Sequence, residues 1–326
     1  MSYTVTQESF DSLTSYWINS GHRLKWGSVF VLPPWLEVWW RKFQSGAELY
    51  LGAVRQQSDI IGIAPLQVKG GEASFIGSAD VCDYMDFVVA PGMESDFFSV
   101  LLDDLRQRSV HHLDLRALRP DSPVVTNLVG VAQKRGYDVS CHPEAVSVEL
   151  DLPPTWDEYL GMLTVKQRHE VRRKLRRLGE MGNIDYHVIE DKTAVHDVMD
   201  TFLKLFSDSR QEKATFMTDQ IESFFRAMTE AMAEAKLLRL GILELEALPV
   251  AMVLCFDYND SVYLYNSGYN SEYRFLSVGL LSKALCIKDS IEEGRKKFDF
   301  LKGAEEYKYH LGGKEIPLYR CQIIIR

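Results

Sequence analysis

Six residues, from Arg274 to Gly279, precede a predicted helix and have the composition of an anion-binding loop. The N–H groups in the first turn of a helix have no partner within the helix, and the helix dipole places partial positive charge there. Arg274 adds a full charge, Ser277 can cap the helix, and Gly279 lets a ligand approach the backbone closely. We therefore predict that Arg274, Ser277, Val278 and Gly279 bind a pyrophosphate.

A second polar cluster, residues 305–310, follows a short buried strand predicted at Phe298–Leu301. Tyr307 could donate a proton to a leaving group, and Lys308 could stabilise an oxyanion or a substrate phosphate. We assign both residues to catalysis. The alternative is a short amphipathic helix in which Tyr307 and Leu311 are buried and the charges face solvent.

A third cluster places three carboxylates within the seven residues from Asp80 to Asp86, at the start of a strand predicted at Asp86–Val89. A structural role in turns or ion pairs is one interpretation. In the other, Asp83 or Asp86 binds an amine or sugar hydroxyl and acts as base; we assign Asp83 to catalysis, and Asp86 and Tyr84 to substrate binding. Strand alternation predicts Tyr84 and Asp86 on one face and Asp83 on the other.

The fourth candidate is the basic segment from Lys166 to Arg177, which carries seven basic residues and one acidic residue. An apolar stripe formed by Val171, Leu175 and Leu178 could dock it as a helix. One interpretation is a solvated helix that links two domains. The other is a phosphate clamp, because guanidinium groups suit phosphate oxygens. The arginines that would project from one face of this helix are Arg168, Arg172 and Arg176.

Composition narrows the class of protein. The 326 residues suffice for two domains, and 46% hydrophobic with 25% charged residues is ordinary for a globular chain. The net charge of −9 argues against DNA binding by the whole surface. Five cysteines lack metal-ligand spacing, so we predict no metal and a reducing compartment. Without a signal segment or a 20-residue apolar run, we expect a cytoplasmic protein that does not insert into membranes.

The order of predicted elements repeats along the chain. Strands at 48–54, 60–68 and 73–76 are followed by a helix at 95–106 and a strand at 112–115. Strands at 238–245, 250–258 and 262–266 are followed by a helix at 277–293 and the strand at 298–301. We therefore predict an α/β (α+β) fold of two related domains, each a mixed, largely antiparallel sheet flanked by helices. The predicted boundaries are 1–150, a basic linking helix at 151–185, and 186–326.

The loop at residues 274–279 resembles the acyl-donor loop of the GNAT acyltransferase superfamily, Gln/Arg-x-x-Gly-x-Gly/Ala, with Ser277 in place of the first glycine. Tyr307-Lys308 followed by Leu311-Gly312-Gly313 resembles the ending of Fem-type aminoacyltransferases and of the CelD/BcsL-like acetyltransferases associated with cellulose biosynthesis. These families are built from two GNAT-like halves. In the resemblance, residues 80–86 face the acceptor cleft, Lys308 lies near the reaction centre, and residues 207–216 line the substrate site.

The resemblance implies an N-acyltransferase that moves an acetyl or similar group from acyl-CoA to an amine, on an amino sugar or cell-envelope precursor. Such chemistry needs no covalent nucleophile, and the sequence has no nucleophile elbow, zinc-protease motif or P-loop. Two alternatives stay open. The donor could be aminoacyl-tRNA, with the basic helix on RNA phosphates, or the chain could be a non-catalytic GNAT scaffold that regulates polysaccharide synthesis.

Overall fold

The structure, a computed structural model, describes residues 2–19, 23–44 and 46–326. The chain divides into two compact units. Unit 1 comprises Met1–Val146 and Ile316–Arg326, and unit 2 comprises Ser147–Glu315. Two features therefore differ from the predicted boundaries: the last eleven residues return to unit 1, and the basic segment lies within unit 2 instead of forming a separate linker.

The strands of the described residues are β1 (Tyr3–Gln7), β2 (Glu48–Gln56), β3 (Asp59–Lys69), β4 (Glu72–Phe75), β5 (Val88–Val89), β6 (His112–Leu118), β7 (Asp138–Asp151), β8 (Ile184–Ile189), β9 (Leu238–Leu245), β10 (Leu248–Tyr258), β11 (Ser261–Tyr269), β12 (Lys297–Lys302) and β13 (Lys314–Ile324). The α-helices are α1 (Phe10–Ile18), α2 (Pro33–Phe43), α3 (Glu94–Gln107), α4 (Val129–Lys134), α5 (Trp156–Met162), α6 (Val165–Gly179), α7 (Lys192–Ser209), α8 (Gln211–Phe216), α9 (Asp219–Glu234), α10 (Val278–Glu292) and α11 (Glu306–His310). Short 3₁₀ helices occupy Val29–Val31 and Ser271–Leu276, and a π-helical turn occupies Val124–Leu128.

Unit 1 is built on a sheet with the strand order β1-β2-β3-β4-β6-β13-β7. Strands β1 to β4 form an antiparallel meander, and β4 then pairs in parallel with β6. Helix α3 contributes Phe97 and Phe98, which pack edge to face with Phe87 in the core. Strand β13 brings Arg320 to Asp114 of β6 through two hydrogen bonds of 2.7 and 2.8 Å, so the end of the chain completes this sheet.

Unit 2 has the strand order β7-β12-β11-β10-β9-β8. Strands β8 to β11 are antiparallel neighbours, and β11 pairs in parallel with β12. Opposite faces of β11 are covered by α7 and α10. A Cβ on Gly268 would meet the backbone of α7 at Phe206, whereas the ring of Tyr269 lies against Gly279 of α10.

The two units thus share one element order: an antiparallel meander, a helix, and a strand parallel to the last meander strand. This confirms the predicted α/β fold with mixed, largely antiparallel sheets. One local prediction was wrong: the strand predicted at 86–89 covers only Val88–Val89. The segment at 207–216 is helical in α7 and α8, and α10 is buried on nearly all sides.

Two further observations concern the predicted environment. Cys141 of β7 and Cys321 of β13 are joined by a disulfide, and Cys82, Cys255 and Cys286 are free and buried. A disulfide does not fit the expected reducing compartment, where thiols are kept reduced. Among the described residues, no helix is both long and apolar enough to span a bilayer.

Candidate active site

The feature around which the site is built is the divergence of two parallel strands in unit 2. Strands β11 and β12 pair only from Ser261–Tyr263 to Lys297–Asp299, and the rest of both strands has no mutual register. Beyond these three pairs the two backbones form no further ladder pairs, and this unpaired stretch is here called the opening. Helix α10 connects the two strands, so its first turn lies at the end of β11.

The predicted donor loop forms the entry to α10. Ser277 is left-handed, with φ of 61°, and its side chain does not cap the helix, so the predicted cap is wrong. The N–H groups of Val278 and Gly279 have no acceptor among the described residues, whereas Leu280 and Leu281 both donate to the Ser277 carbonyl. Two backbone donors therefore face no protein acceptor at the positive end of a 15-residue helix, where Gly279 is half-buried and Val278 is fully buried.

Gly279 has a specific steric role. A Cβ at this position would lie 2.7 Å from Cδ1 of Tyr269 and 3.1 Å from two other ring atoms. Glycine is therefore required for α10 to begin directly against the end of β11. Because Gly279 has no side chain, the backbone of this turn lies close to the opening.

The basic segment forms α6 and packs against both α10 and the 3₁₀ helix that precedes it. Thr164 and Gln167 form a capping box at its start, and Gln167 also donates to the carbonyl of Tyr309 at 2.9 Å. Val171 and Leu178 are buried, as the apolar stripe predicted. Helix α6 therefore lies beside the donor loop.

The charges on α6 are only partly neutralised. Glu170 pairs with Arg173 and Lys174, which holds the pKa of its carboxyl at about 2, chiefly through the hydrogen bond from Arg173. Arg176 lies 3.6 Å from Glu180. Among the described side chains, no carboxylate lies within ion-pair distance of Arg168 or Arg172. These two arginines are the members of the predicted clamp that remain available to phosphate.

An exposed aromatic surface adjoins the same loop. The Phe275 side chain is 52% exposed, and the Arg177 guanidinium lies 5.9 Å from its ring centroid. Arg274 itself is exposed. The loop therefore offers backbone donors, guanidinium charge and an aromatic face within one short stretch.

Lys308 is buried, with 2% of its surface exposed, at the end of β12. Its ammonium donates to the carbonyls of Leu301, Lys302 and Gly303 at 2.9, 2.8 and 3.0 Å, and lies 2.9 Å from Glu305. Its three N–H bonds are thus directed at backbone oxygens. In this arrangement Lys308 fixes the turn that follows β12, which makes it a positioning residue for Tyr307.

Two further lysines of unit 2 have little exposed surface, and one of them lies against Tyr307. Lys283 of α10 is 6% exposed, donates to the Gly279 carbonyl at 2.7 Å, and places Nζ 4.9 Å from the Tyr307 ring centroid. Lys213 of α8 donates to the Ser267 carbonyl of β11 and lies 4.5 Å from the ring centroid of Phe206. Burial lowers the pKa of Lys283 to about 7 and that of Lys213 to about 8.

The remaining predicted residues belong to unit 1. Tyr84 and Asp86 line a cavity of about 170 Å³, together with Arg119, whose guanidinium lies 5.1 Å from the Tyr84 ring centroid. Asp86 accepts hydrogen bonds from Ser122 Oγ and its neighbour's backbone N–H, both at 2.9 Å. Burial nevertheless raises its pKa to about 7.

Asp83 is separated from this cavity. It lies in a bend, since residues 80–86 form turns instead of the predicted strand start, and it is not one of the residues that line the cavity. The predicted alternation of Tyr84, Asp86 and Asp83 on strand faces is therefore wrong. The structure brings Tyr84 and Asp86 together and leaves Asp83 outside.

One group of side chains could hold a metal ion. Asp185, His187 and Glu244, on the adjacent strands β8 and β9, have ligand atoms within 4.8 Å of one another. His187 Nδ1 lies 2.7 Å from Asp185 Oδ2. The group is partly exposed, and none of its members is a predicted site residue.

Comparisons with known proteins agree with this geometry. Residues 165–309 match the family model described as an acetyltransferase (GNAT) domain. Comparison with curated protein sequences gives no match. Among solved structures, FemX is similar with a TM-score of 0.67 at 12% identity, covering 97% of this chain and 96% of FemX.

Two other solved structures share the fold at similarly low sequence identity. A tandem GNAT protein from the clavulanic acid biosynthesis pathway gives a TM-score of 0.51 at 12% identity and 98% coverage of each chain. L-PGS from Bacillus licheniformis gives 0.54 at 11% identity, with 88% of this chain and 90% of that one covered. Residues 165–309 thus form a GNAT-type acetyltransferase domain, in a chain with the fold of FemX and the tandem GNAT protein.

Proposed function

We propose that the chain is an N-acyltransferase that moves an acetyl or similar acyl group from acyl-CoA to an amine. The observation that carries this proposal is the opening between β11 and β12, bordered by two unpaired backbone N–H groups at the start of α10. The match of residues 165–309 to the acetyltransferase domain supports the same chemistry.

The donor would be held by the loop that begins α10. The N–H groups of Val278 and Gly279 would donate to the pyrophosphate of CoA, the Ser277 turn would present them, and Arg274 would add charge from the surface. Arg168, Arg172 and Arg176 on the neighbouring α6 would contribute to phosphate binding. The acyl chain would then extend into the opening between the strands.

The transfer itself would require the amine nitrogen to attack the thioester carbonyl carbon and the C–S bond to break. Tyr307, which follows β12, would give a proton to the departing sulfur. Lys308 would keep the turn of Tyr307 in place through its three carbonyl contacts. No covalent enzyme intermediate is needed.

For the acceptor we propose an amine on an amino sugar or another precursor of the cell envelope or an exopolysaccharide, the role implied by the resemblance to CelD/BcsL-like acetyltransferases. In unit 1, Tyr84 and Asp86 line a polar cavity with Arg119, a lining suited to sugar hydroxyls and amines. Asp83 would assist catalysis by binding the acceptor amine, not as the base. A cytoplasmic location belongs to the same proposal, and the Cys141–Cys321 disulfide is the observation against it.

The first test is thermal unfolding with and without acetyl-CoA. Ligand at about 100 times its dissociation constant stabilises a native state by roughly 2.7 kcal/mol. We expect this stabilisation in the wild type and a marked loss of it in Arg274→Ala. The matched control is Arg173→Ala, because Arg173 is paired with Glu170 and should leave binding unchanged. No stabilisation by millimolar acetyl-CoA would contradict the proposed donor.

The alternative donor, aminoacyl-tRNA, rests on the unneutralised arginines of α6 beside the donor loop. If tRNA is the donor, binding should weaken steeply with salt, and Arg172→Glu with Arg176→Glu should abolish it. A non-catalytic scaffold would bind neither acyl-CoA nor acyl-tRNA, and its cellular role would survive Tyr307→Phe, which removes only the proposed proton donor. These outcomes separate the three functions.

A further inference from the structure

Lys283 is a buried lysine for which unit 2 provides no carboxylate. Its Nζ donates to one backbone carbonyl, Gly279, and among the described residues no acidic side chain lies within ion-pair distance. A lysine ammonium has three N–H donors and is costly to bury without a counter-charge. A neutral amine avoids that cost, keeps the hydrogen bond to Gly279 and gains a lone pair.

The neighbouring cations of Lys283 favour its neutral form, whereas the face of the Tyr307 ring favours the ammonium. Nearby Lys213 and Arg210 carry like charge, and burial together with these two cations places the pKa of Lys283 at about 7. The other titratable groups that face it are the buried thiols of Cys255 and Cys286, which act in the opposite sense, and the phenol of Tyr307. None of these groups is a fixed negative charge at neutral pH.

Lys283 lies where the proposed acyl transfer requires a proton to leave the attacking amine. Its helix, α10, joins the two diverging strands. On one side its neighbour is Lys213, which is bonded to Ser267 of β11, and on the other it lies against Tyr307, just after β12. Its amine therefore borders the opening in which the thioester would lie, at the foot of the turn that would bind the donor.

We propose that Lys283 is the base that removes a proton from the attacking amine; this assignment rests on the proposed acyltransferase function. The Lys283 amine takes one proton from the acceptor ammonium, and the freed nitrogen forms the C–N bond as the C–S bond breaks. The surplus proton on that nitrogen passes to the sulfur through Tyr307. The proton on Lys283 leaves to solvent, past the partly exposed Lys213 and the exposed Arg210.

A direct test needs no acceptor. In protein labelled with ¹³C-lysine, the Cε resonance of Lys283 is identified by its loss in Lys283→Met and followed from pH 5 to 11. We expect an inflection near 7, and Lys288, half-buried on the same helix and paired with Glu292, supplies the comparison resonance. Lys213→Met should move the Lys283 inflection upward, because a neighbouring positive charge is lost. An inflection of Lys283 above about 10 would overturn the assignment.

The kinetic test uses acetyl-CoA and glucosamine. For Lys283→Met we expect kcat to fall by roughly 10²- to 10⁴-fold, with the rise of rate through neutral pH lost and the stabilisation by acetyl-CoA retained. Lys288→Met should match the wild type. If Lys283→Met has the rate and pH profile of the wild type, Lys283 is not the base, and the proposed acyltransferase function is unaffected. If the wild type neither binds nor consumes acetyl-CoA, the proposed function itself is wrong.

Discussion

At the scale of single residues, Lys308 shows that a motif can predict the place of a residue without predicting its contacts. The position was predictable from the Tyr-Lys pair and the Leu-Gly-Gly that follows. The direction of its side chain was not, because burial of an ammonium depends on carbonyls supplied by the turn after β12. Sequence spacing cannot show which oxygens converge on one point.

Lys308→Met should therefore act mainly on stability. It removes the donor from three carbonyls and the partner from Glu305, and unsatisfied buried groups cost about 1–3 kcal/mol each. We expect the free energy of unfolding to fall by about 2–4 kcal/mol, measured by denaturant unfolding. Exposed Lys314→Met is the control and should change it by less than about 0.5 kcal/mol. Equal stability of the two variants would mean that the carbonyl contacts contribute little.

Asp86 makes a prediction about pH. Burial raises its folded pKa to about 7, whereas an unfolded aspartate titrates near 3.9. Between these values the folded state holds the extra proton, so stability is greatest below pH 4 and falls as pH rises towards 7. We expect Asp86→Asn, which can keep both acceptor contacts, to remove about 2–4 kcal/mol of that fall.

The measurement for Asp86 is denaturant unfolding at pH 4, 5.5 and 7 in the wild type and in Asp86→Asn. Exposed Asp59→Asn provides the comparison. If wild type and Asp86→Asn show the same pH dependence, Asp86 is ionised at an ordinary pKa and is a poor candidate for a neutral group in the acceptor cavity.

Lys283 and Lys213 were not predicted from the sequence, for different reasons. Lys283 stands in a helix that is buried on nearly all sides, with buried neighbours such as Leu281, Ala284 and Ile287. A single lysine in the first turns of such a helix is a signal for a buried amine. Lys213 gave no such signal, because the residues around it are polar and typical of a surface loop. Its contact with β11 depends on how α8 packs.

At the scale of elements, strong periodic patterns were predictable and turn-rich segments were not. The helix predicted at 277–293 is observed at Val278–Glu292, and the strand predicted at 298–301 at Lys297–Lys302. The strand start predicted at Asp80–Asp86 was wrong because these residues form turns and irregular backbone around Tyr84. The burial of Tyr84 depends on residues distant in sequence. The divergence of β11 from β12 has no local signal at all.

Gly279 tests whether the start of α10 is the donor site. In Gly279→Ala the new Cβ would lie 2.7 Å from the Tyr269 ring, so the turn or the ring must shift, at a cost of about 1–3 kcal/mol. We expect reduced thermal stability and loss of stabilisation by acetyl-CoA. Gly161→Ala in α5, where nothing lies within 4 Å of a Cβ, should keep both. If Gly279→Ala binds acetyl-CoA as tightly as the wild type, the donor site lies elsewhere in the structure.

At the scale of the whole molecule, the duplication was predictable from the order of elements, because meander, helix and strand recur in each half. The division into units was not. The last strand looks like the natural end of the second half, yet Ile316–Arg326 belongs to unit 1, where β13 lies between β6 and β7. Its partners β6 and β7 lie in the first half of the chain, and no local pattern encodes so long a separation in sequence.

The Cys141–Cys321 disulfide ties this returning strand to β7 across 180 residues. Of the five cysteines, three are free, so the unreduced chain unfolded in denaturant should give three titratable thiols, and five after reduction. In the chain-entropy view a cross-link over so long a loop restricts the unfolded state strongly, so Cys321→Ser should lower the free energy of unfolding by about 2–5 kcal/mol. Cys82→Ala is the control for loss of a buried thiol that closes no loop. Five thiols without reduction would show that β13 is held by its strand pairing and by Arg320 alone, and would restore the reducing compartment that the scattered cysteines first suggested.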